Sequence, residues 1–315
     1  MNRNKPGRPA LSLASHVHVS SSPGSFTRAR LLREFFMLAL LASALLVARP
    51  APAQDWAKAR LEKSPRHQEW VVLNEGARKL QCFVVYPEVS KKAAAVVVVH
   101  EIFGLSDWAR EMADEMAGAG YIAIVPDLLS GTAPNGQGTA GYPDQDAVVR
   151  AVSMLPPAQI TADLNAATAY VSKLPACNGK VVVTGFCWGG GQAFRFATNN
   201  HSLKAAFVFY GPPPASEAEV ARIHCPVYGF YGGNDARISS TVPATVEMMK
   251  KSHKTYSAVI YPGAGHGFMR AGEAPDASPA NRAARDDAWN RWKAIMATGR
   301  DPRNPAPAPV EHTGP

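Results

Sequence analysis

Short apolar segments dominate the chain from residue 70 onward. Eight of them have the composition of β-strands: "WVVLNE", "QCFVVYP", "AAAVVVVH", "YIAIVPD", "KVVVTG", "AAFVFYG", "PVYGFYGG" and "YSAVIYPG". Five segments, including "AAAVVVVH" and "KVVVTG", are apolar at nearly every position instead of alternating with polar residues. Strands that are buried on both faces have this composition, so the pattern predicts a mostly parallel sheet with helices on both faces.

Helical periodicity fills most of the intervals between these strands. "SDWAREMADEMAGAG" has a capping serine at Ser106, apolar residues at helical spacing and a terminal glycine. Four more segments behave similarly: "TADLNAATAYVSKL", "GGGQAFRFATNN", "TVPATVEMMKKSH" and "RAARDDAWNRWKAIMA". The alternation predicts an α/β fold in which functional residues collect at the carboxyl ends of the strands. The first two strands have no helix between them, and we expect them to form an antiparallel edge.

The first 53 residues are typical of a signal peptide. Basic residues precede the apolar run "FFMLALLASALLVA", and "APAQ" follows it with small residues at Ala51 and Ala53. We expect cleavage near Ala53, a periplasmic or secreted protein, and no stable membrane span after cleavage. An uncleaved membrane anchor is the alternative, although the run is shorter than the roughly 20 residues that cross a bilayer.

Most of the net positive charge of the chain lies in its first 53 residues. The whole chain carries +8, and the first 53 residues hold seven basic residues and one acidic residue, which leaves +2 for the remainder. The remaining basic residues are scattered, so we expect no nucleic-acid partner. Residues 54–299 are predicted to form one α/β domain, and the Pro-rich segment 300–315 a disordered tail.

A cysteine stands where this fold often carries its nucleophile. "GFCWGG" places Cys187 between a predicted strand and a predicted helix in a G-x-C-x-G sequence, the context of a nucleophile elbow. The following helix points its N-terminus at the sulfur, which favours the thiolate. The backbone N–H of Trp188 is a candidate for one half of an oxyanion hole. A buried structural cysteine in a packing turn is the alternative.

Two further residues follow in the order of a catalytic triad. Asp235 lies after the strand of "VYGFYGGNDARI", and His266 lies after the last strand in "VIYPGAGHGFMR". The order nucleophile, acid, histidine is that of α/β hydrolases, with His266 as the base and Asp235 as its orienting partner. Taken singly, each residue is equally consistent with an ordinary turn position.

An acidic residue ends another buried strand. Glu101 follows "VVVVH", where an acid is costly unless it has a partner or a function. We expect Glu101 to face Cys187, and the amide of Ile102 to be the second oxyanion donor. A helix cap or a surface acid is the alternative for Glu101.

From about Glu75 to Met296 the chain resembles the dienelactone hydrolase family, also called carboxymethylenebutenolidases. The resemblance rests on "HEIFG", "GYIAIVPDLLSG", "GFCWGG", "GGND" and "GHGFMR", in that order. It implies an α/β-hydrolase fold and a catalytic set of Cys187, Asp235, His266 and Glu101. It also implies that Arg270, four residues after the histidine, binds the substrate carboxylate. The resting thiol would be neutral and turned toward the glutamate until substrate displaces it.

The segment before the elbow departs from the family pattern. The family's second carboxylate-binding arginine has no clear counterpart, and Arg150 is the one candidate, with a solvated helix face as the alternative. "LLSGTAPNGQGTAGYPDQDAVVR" looks like a different lid. Phe103 and Tyr210 are further candidates for substrate contact. We therefore expect an ester or lactone of small size, without specifying the natural one.

Cofactors and metals are not predicted for this chain. Excluding Cys187, three cysteines remain, so at most one disulfide forms, with Cys177 and Cys225 as the candidate pair and buried free thiols as the alternative. The expected function is a cysteine-dependent hydrolase of small carboxylated lactones or enol esters, which is a carboxylic ester hydrolase. An esterase or thioesterase of other specificity on the same triad is one alternative, and a non-catalytic envelope binding protein is another.

Overall fold

All eight predicted strands are present in the computed structural model, which describes residues 55–76 and 78–303. They are β1 (Gln68–Glu75), β2 (Arg78–Val85), β3 (Ala93–Val99), β4 (Ile122–Pro126), β5 (Cys177–Phe186), β6 (Ala206–Phe209), β7 (Val227–Gly232) and β8 (Tyr256–Tyr261). They form one sheet in the order β1-β2-β4-β3-β5-β6-β7-β8. The predicted signal peptide and residues 304–315 of the predicted tail lie outside the described residues.

The sheet is mostly parallel. Strands β4, β3, β5, β6, β7 and β8 pair in parallel with their neighbours, whereas β2 is antiparallel to both β1 and β4. The expected antiparallel edge is therefore confirmed. Because β3, β5, β7 and β8 run in the same direction, their carboxyl ends lie on one edge of the sheet, where the candidate residues follow.

The helices alternate with the strands. They are α1 (Asp55–Lys63), α2 (Asp107–Gly118), α3 (Gln145–Ser153), α4 (Pro157–Lys173), α5 (Trp188–Ala197), α6 (Glu217–Val220), α7 (Ala236–Ser239), α8 (Val242–Lys251), α9 (Phe268–Glu273) and α10 (Pro279–Thr298). The five predicted helices correspond to α2, α4, α5, α8 and α10. Helices α1, α3, α6, α7 and α9 had no predicted counterpart, because none is longer than nine residues and so none shows a clear period. None of the helices that the structure describes is long and apolar enough to cross a membrane.

Two hydrophobic clusters, one on each face of the sheet, explain the continuous apolar composition of the central strands. In β3, Val97 and Val99 belong to one cluster, whereas Val96 and Val98 belong to the other, and all four are fully buried. Alternate side chains point to opposite faces of a strand, so a strand covered on both faces needs apolar residues at every position. This confirms the predicted layer arrangement.

The ordered chain continues past residue 299, into the segment predicted to be a disordered tail. Asp301 is 5% exposed and accepts hydrogen bonds from Arg291 and from the Ser257 hydroxyl at 2.6 Å. Arg291 also donates from Nη1 to the Gly229 carbonyl at 2.7 Å. Burial alone would raise the pKa of Asp301, but the hydrogen bonds from Arg291 and Ser257 hold it below its ordinary value. This buried pair ties the end of the described chain to β7 and β8.

Candidate active site

Cys187 lies at a sharp turn between β5 and α5. Its backbone angles, φ 56° and ψ −120°, are unusual for a residue with a side chain. A Cβ on Gly185 would lie 2.0 Å from the Gly189 carbonyl oxygen, and a Cβ on Gly189 would lie 2.3 Å from the carbonyl oxygens of Val99 and His100. The two glycines of the G-x-C-x-G sequence are therefore required by backbone crowding, as expected for a nucleophile elbow.

Three residues from distant parts of the chain meet at this turn. His266, in the loop between β8 and α9, places Nε2 3.0 Å from Cys187 Sγ. Its Nδ1 lies 2.5 Å from Oδ2 of Asp235, which follows β7. A carboxylate only accepts, so Nδ1 carries the proton and Nε2 is free to accept one from the thiol. The structure thus brings Cys187, His266 and Asp235 into one continuous line of contacts.

The sulfur lies in an environment that disfavours charge. Burial raises the pKa of Cys187 to about 11, and the nearby negative charge of Glu101 acts in the same direction. The backbone amides of Trp188 and Ile102 and the positive charge of Arg237 act against this rise. Both amides therefore face the sulfur, and the thiol is almost entirely neutral at pH 7.

Glu101 is paired with Arg270. Its side chain is 2% exposed, and Oε2 accepts a hydrogen bond of 2.7 Å from Arg270 Nε. The Arg270 guanidinium also lies 5.1 Å from the centre of the Phe103 ring. The left-handed residue Gly267, at φ 72°, passes close by, and a Cβ there would lie 3.6 Å from Arg270 Nη2. The buried Glu101 carboxylate thus has a charged partner that offsets the free-energy cost of its burial.

The resemblance implied a resting thiol turned toward Glu101, and the resting geometry differs from this. Cys187 Sγ contacts His266, and Glu101 contacts Arg270; the described residues include no hydrogen bond between Cys187 and Glu101. The guanidinium is the stronger partner for a carboxylate, because both groups are charged. Glu101 therefore acts on the thiol through its field and not through direct contact.

Two of the predicted substrate contacts lie elsewhere than expected. Tyr210 is fully buried, with φ 40°, and its ring packs edge-on against His266 at 5.1 Å and Phe268 at 5.2 Å. Arg150 is exposed on α3 and forms no hydrogen bond or ion pair with any described residue. Tyr210 thus packs against the His266 imidazole. Arg150 lies on a solvated helix face, which was the alternative interpretation for that residue.

Arg237 was not anticipated from the sequence. It is exposed on the short helix α7, two residues after Asp235, and its charge lowers the pKa of Cys187. The segment "GGNDARI" has no feature that distinguishes Arg237 from other surface arginines. Only the fold shows that this cation and the thiol are close enough to interact.

A second charged cluster supports α9, the helix that carries Arg270. The carboxylates of Glu111, Glu115 and Glu273 each place an oxygen within 4.8 Å of the others, which is also the spacing of a metal site. Arg60 donates to Glu111 at 3.2 Å and to Glu273 at 3.1 Å, and Arg285 donates to Glu273 at 2.9 Å. Burial and the neighbouring carboxylates raise the pKa of Glu111 to about 9 and that of Glu273 to about 7. Arg60, Arg285 and the proton that Glu111 retains thus balance the negative charge of the three carboxylates.

The remaining cysteines are free thiols. Cys82, Cys177 and Cys225 are all buried, and no disulfide joins Cys177 to Cys225. Both residues belong to the same hydrophobic cluster, where a thiol behaves as a small apolar group. The buried-thiol alternative is therefore what the structure has.

Known proteins resemble this chain in sequence and in fold. Residues 80–299 match the model of the dienelactone hydrolase family. A relative from Methylorubrum extorquens that carries the name carboxymethylenebutenolidase is 33% identical over 212 residues, which cover 64% of this chain and 69% of the relative. One from Saccharolobus solfataricus with the same name is 29% identical over 256 residues, covering 71% and 95%. The crystal structure of a Klebsiella pneumoniae protein described as a dienelactone hydrolase has 26% identity and a TM-score of 0.65, covering 74% of this chain and 99% of that one.

Proposed function

Because the chain belongs to the dienelactone hydrolase family, whose members are carboxylic ester hydrolases, we propose that it hydrolyses small carboxylated lactones or enol esters through Cys187. The observation that carries this proposal is the line of contacts from Cys187 Sγ through His266 to Asp235. A nucleophile within hydrogen-bond distance of a base, which is itself oriented by a carboxylate, is the arrangement that acyl transfer requires.

The first half of the reaction forms a thioester. The Cys187 proton passes to His266 Nε2, and the sulfur forms a bond to the substrate carbonyl carbon. The carbonyl electrons move to oxygen, where the amides of Ile102 and Trp188 stabilise the negative charge. Collapse of this intermediate breaks the ring C–O bond, and the departing enolate takes the proton from the imidazolium.

Water completes the reaction. His266 removes a proton from a water molecule, which attacks the thioester carbonyl in the same oxyanion hole. The C–S bond breaks, the acid is released, and the thiolate recovers its proton from the imidazolium. Asp235 holds Nδ1 protonated throughout and stabilises each imidazolium as it forms.

Charge provides the basis for substrate selection. Arg270 interacts with Glu101 and with Cys187, and its side chain remains 30% exposed, so an incoming carboxylate can reach it. A substrate carboxylate that takes Arg270 would displace Glu101, and a Glu101 side chain that moves away from Cys187 no longer raises the pKa of the thiol. The thiol would then be activated when substrate is bound, and a neutral resting thiol is less prone to oxidation.

We also propose that the protein is exported. The N-terminal 53 residues have the composition of a cleavable signal peptide, and a resting thiol with a raised pKa suits an oxidising compartment. The mass of the chain purified from the envelope fraction tests this. Export predicts a new N-terminus near Gln54, and a full-length chain retained in the cytoplasm would refute it.

The hydrolase proposal is tested by the initial rate of dienelactone disappearance, comparing wild type with Cys187→Ala. We expect turnover by wild type and none above background by the variant. If both are inactive on dienelactone, a panel of aryl esters and thioesters follows. Cys187-dependent activity there would favour the same triad with another specificity. Inactivity on the whole panel would favour a non-catalytic binding protein.

A further inference from the structure

His100 is a fully buried histidine beside the candidate oxyanion hole. Its Nδ1 lies 2.8 Å from the carbonyl oxygen of Glu101. A carbonyl only accepts, so Nδ1 carries the proton. Nε2 makes no hydrogen bond to any residue that the structure describes. Burial lowers the pKa of His100, which keeps the ring neutral and this tautomer fixed.

The hydrogen bond determines the direction of a neighbouring amide. The peptide between Glu101 and Ile102 is planar, and in a trans peptide the C=O and N–H groups point in opposite directions. A donor that holds the Glu101 carbonyl on one side therefore directs the Ile102 N–H to the other side, where Cys187 lies. The same carbonyl accepts a second hydrogen bond of 3.1 Å from Gly104 N, which limits the rotation further.

The ring of His100 also contacts the residue that supplies the other donor. It stacks on Trp188 with ring centres 5.7 Å apart and an interplanar angle of 15°. The amide of Trp188 begins helix α5 directly after Cys187. One buried ring thus contacts the peptide group that carries one candidate oxyanion donor, through the Glu101 carbonyl, and the side chain of Trp188, which supplies the other.

We propose that His100 is a positioning residue for the oxyanion hole, and that its Nδ1–H group keeps the Ile102 amide directed at the reacting carbonyl oxygen. This role rests on the proposed hydrolase function, because it matters only where an oxyanion forms. His100 touches no reacting atom in this arrangement. Its effect is on the geometry of a donor, which must be accurate to a fraction of an ångström to stabilise a transition state.

Three substitutions separate the hydrogen bond from the packing. His100→Asn keeps an N–H donor close to the position of Nδ1 but removes the ring. His100→Phe keeps a ring that stacks on Trp188 but removes the donor. His100→Gln moves the donor toward the position of Nε2. Each variant is compared with wild type in kcat and KM for the ester on which Cys187 is active, with urea midpoints recorded to identify folding defects.

The expected result is a loss in kcat that follows the donor. We expect His100→Phe and His100→Gln to reduce kcat by about 10- to 100-fold with little change in KM, since the lost interaction acts on the transition state. His100→Asn should recover most of that loss. Equal kcat in wild type and His100→Phe would overturn the proposal. An Asn variant as slow as the Phe variant would overturn it too, since packing alone would then explain the effect.

Alkylation of Cys187 by iodoacetamide keeps this test separate from the hydrolase proposal. The Ile102 amide opposes the raised pKa of Cys187, so an amide that rotates away should slow alkylation at a fixed pH. We expect the order wild type, Asn, Phe from fastest to slowest, whether or not any ester is hydrolysed. Identical alkylation rates in all three proteins would show that His100 does not direct the amide. Absence of turnover in wild type would count against the hydrolase proposal alone.

Discussion

Glu101 and Arg270 lie 169 residues apart in sequence, and their side chains are joined by a hydrogen bond of 2.7 Å beside Cys187. The pair places a buried negative charge near the thiol and, next to that carboxylate, a positive charge whose side chain is 30% exposed. We therefore expect the charge of Glu101 to affect the reactivity of the sulfur, and Arg270 to affect the binding of a carboxylated substrate.

Removing the charge of Glu101 should make the resting thiol more reactive. Glu101→Gln keeps the shape of the side chain but removes a charge that raises the pKa of Cys187, so more thiolate is present at neutral pH. We expect iodoacetamide to alkylate Cys187 several-fold faster in the variant. Glu115→Gln, which changes a carboxylate paired with Arg285, is the matched control. An unchanged or slower rate in Glu101→Gln would contradict the role given to this field.

Removing the charge of Arg270 should affect carboxylated substrates selectively. We expect Arg270→Gln to reduce kcat/KM for a carboxylated lactone by roughly 10- to 100-fold, the range expected for a hydrogen bond between charged groups. A neutral aryl ester should lose far less. Arg150→Gln removes an exposed arginine on α3 and should leave both rates unchanged. Equal losses on the two substrates would mean that Arg270 supports the site without binding the carboxylate.

The elbow should not tolerate a methyl group at Gly189. The added Cβ would lie 2.3 Å from two backbone carbonyl oxygens, which cannot move without shifting the end of β3. We expect Gly189→Ala to lower the free energy of unfolding by about 3 kcal/mol. Gly118→Ala is the matched control, because its Cβ would approach only the flexible end of Arg66, at 3.2 Å. Similar urea midpoints for the two variants would refute the crowding argument.

The buried pair of Arg291 and Asp301 should contribute more to stability than an exposed pair in the same region. Asp301→Asn leaves Arg291, whose side chain is 1% exposed, without its counter-charge, which costs about 3–5 kcal/mol. Asp287→Asn breaks the exposed pair with Arg303, which should cost less than about 1 kcal/mol. Urea denaturation of the two variants tests the difference. Equal losses would indicate that residues 300–303 do not anchor the domain.

The glutamate cluster should make stability fall as pH rises. The folded pKa of Glu111, about 9, lies above its unfolded value near 4.5, so the folded state binds more protons between these values. Stability from this group is therefore complete below the unfolded pKa and is lost as pH rises toward the folded one. Glu111→Gln, which resembles the protonated acid, should reduce the loss between about pH 5 and about pH 9. Parallel pH profiles for wild type and variant would contradict this assignment.

Much of the architecture could be predicted because local patterns report burial directly. Strand β3 is apolar at every position because the sheet is covered on both faces, and that pattern is visible in the sequence alone. The order Cys187, Asp235, His266 could be recognised for a related reason: each residue follows a strand, and the strand ends of a parallel sheet lie on one edge. Helices α1, α3, α6, α7 and α9 escaped prediction because nine residues or fewer do not establish a period.

The sequence by itself determined the layer arrangement, the elbow turn and the set of residues at the sheet's carboxyl edge. Only the tertiary structure decided which of those side chains are partners. Glu101 pairs with Arg270 and not with Cys187, and Arg150 lies on a solvated face. Arg237 acts on the thiol from the short helix α7, whose sequence has no distinguishing pattern. Strand and helix periods follow from backbone geometry within a few residues, whereas electrostatic pairing depends on distances between residues that only the folded chain brings together.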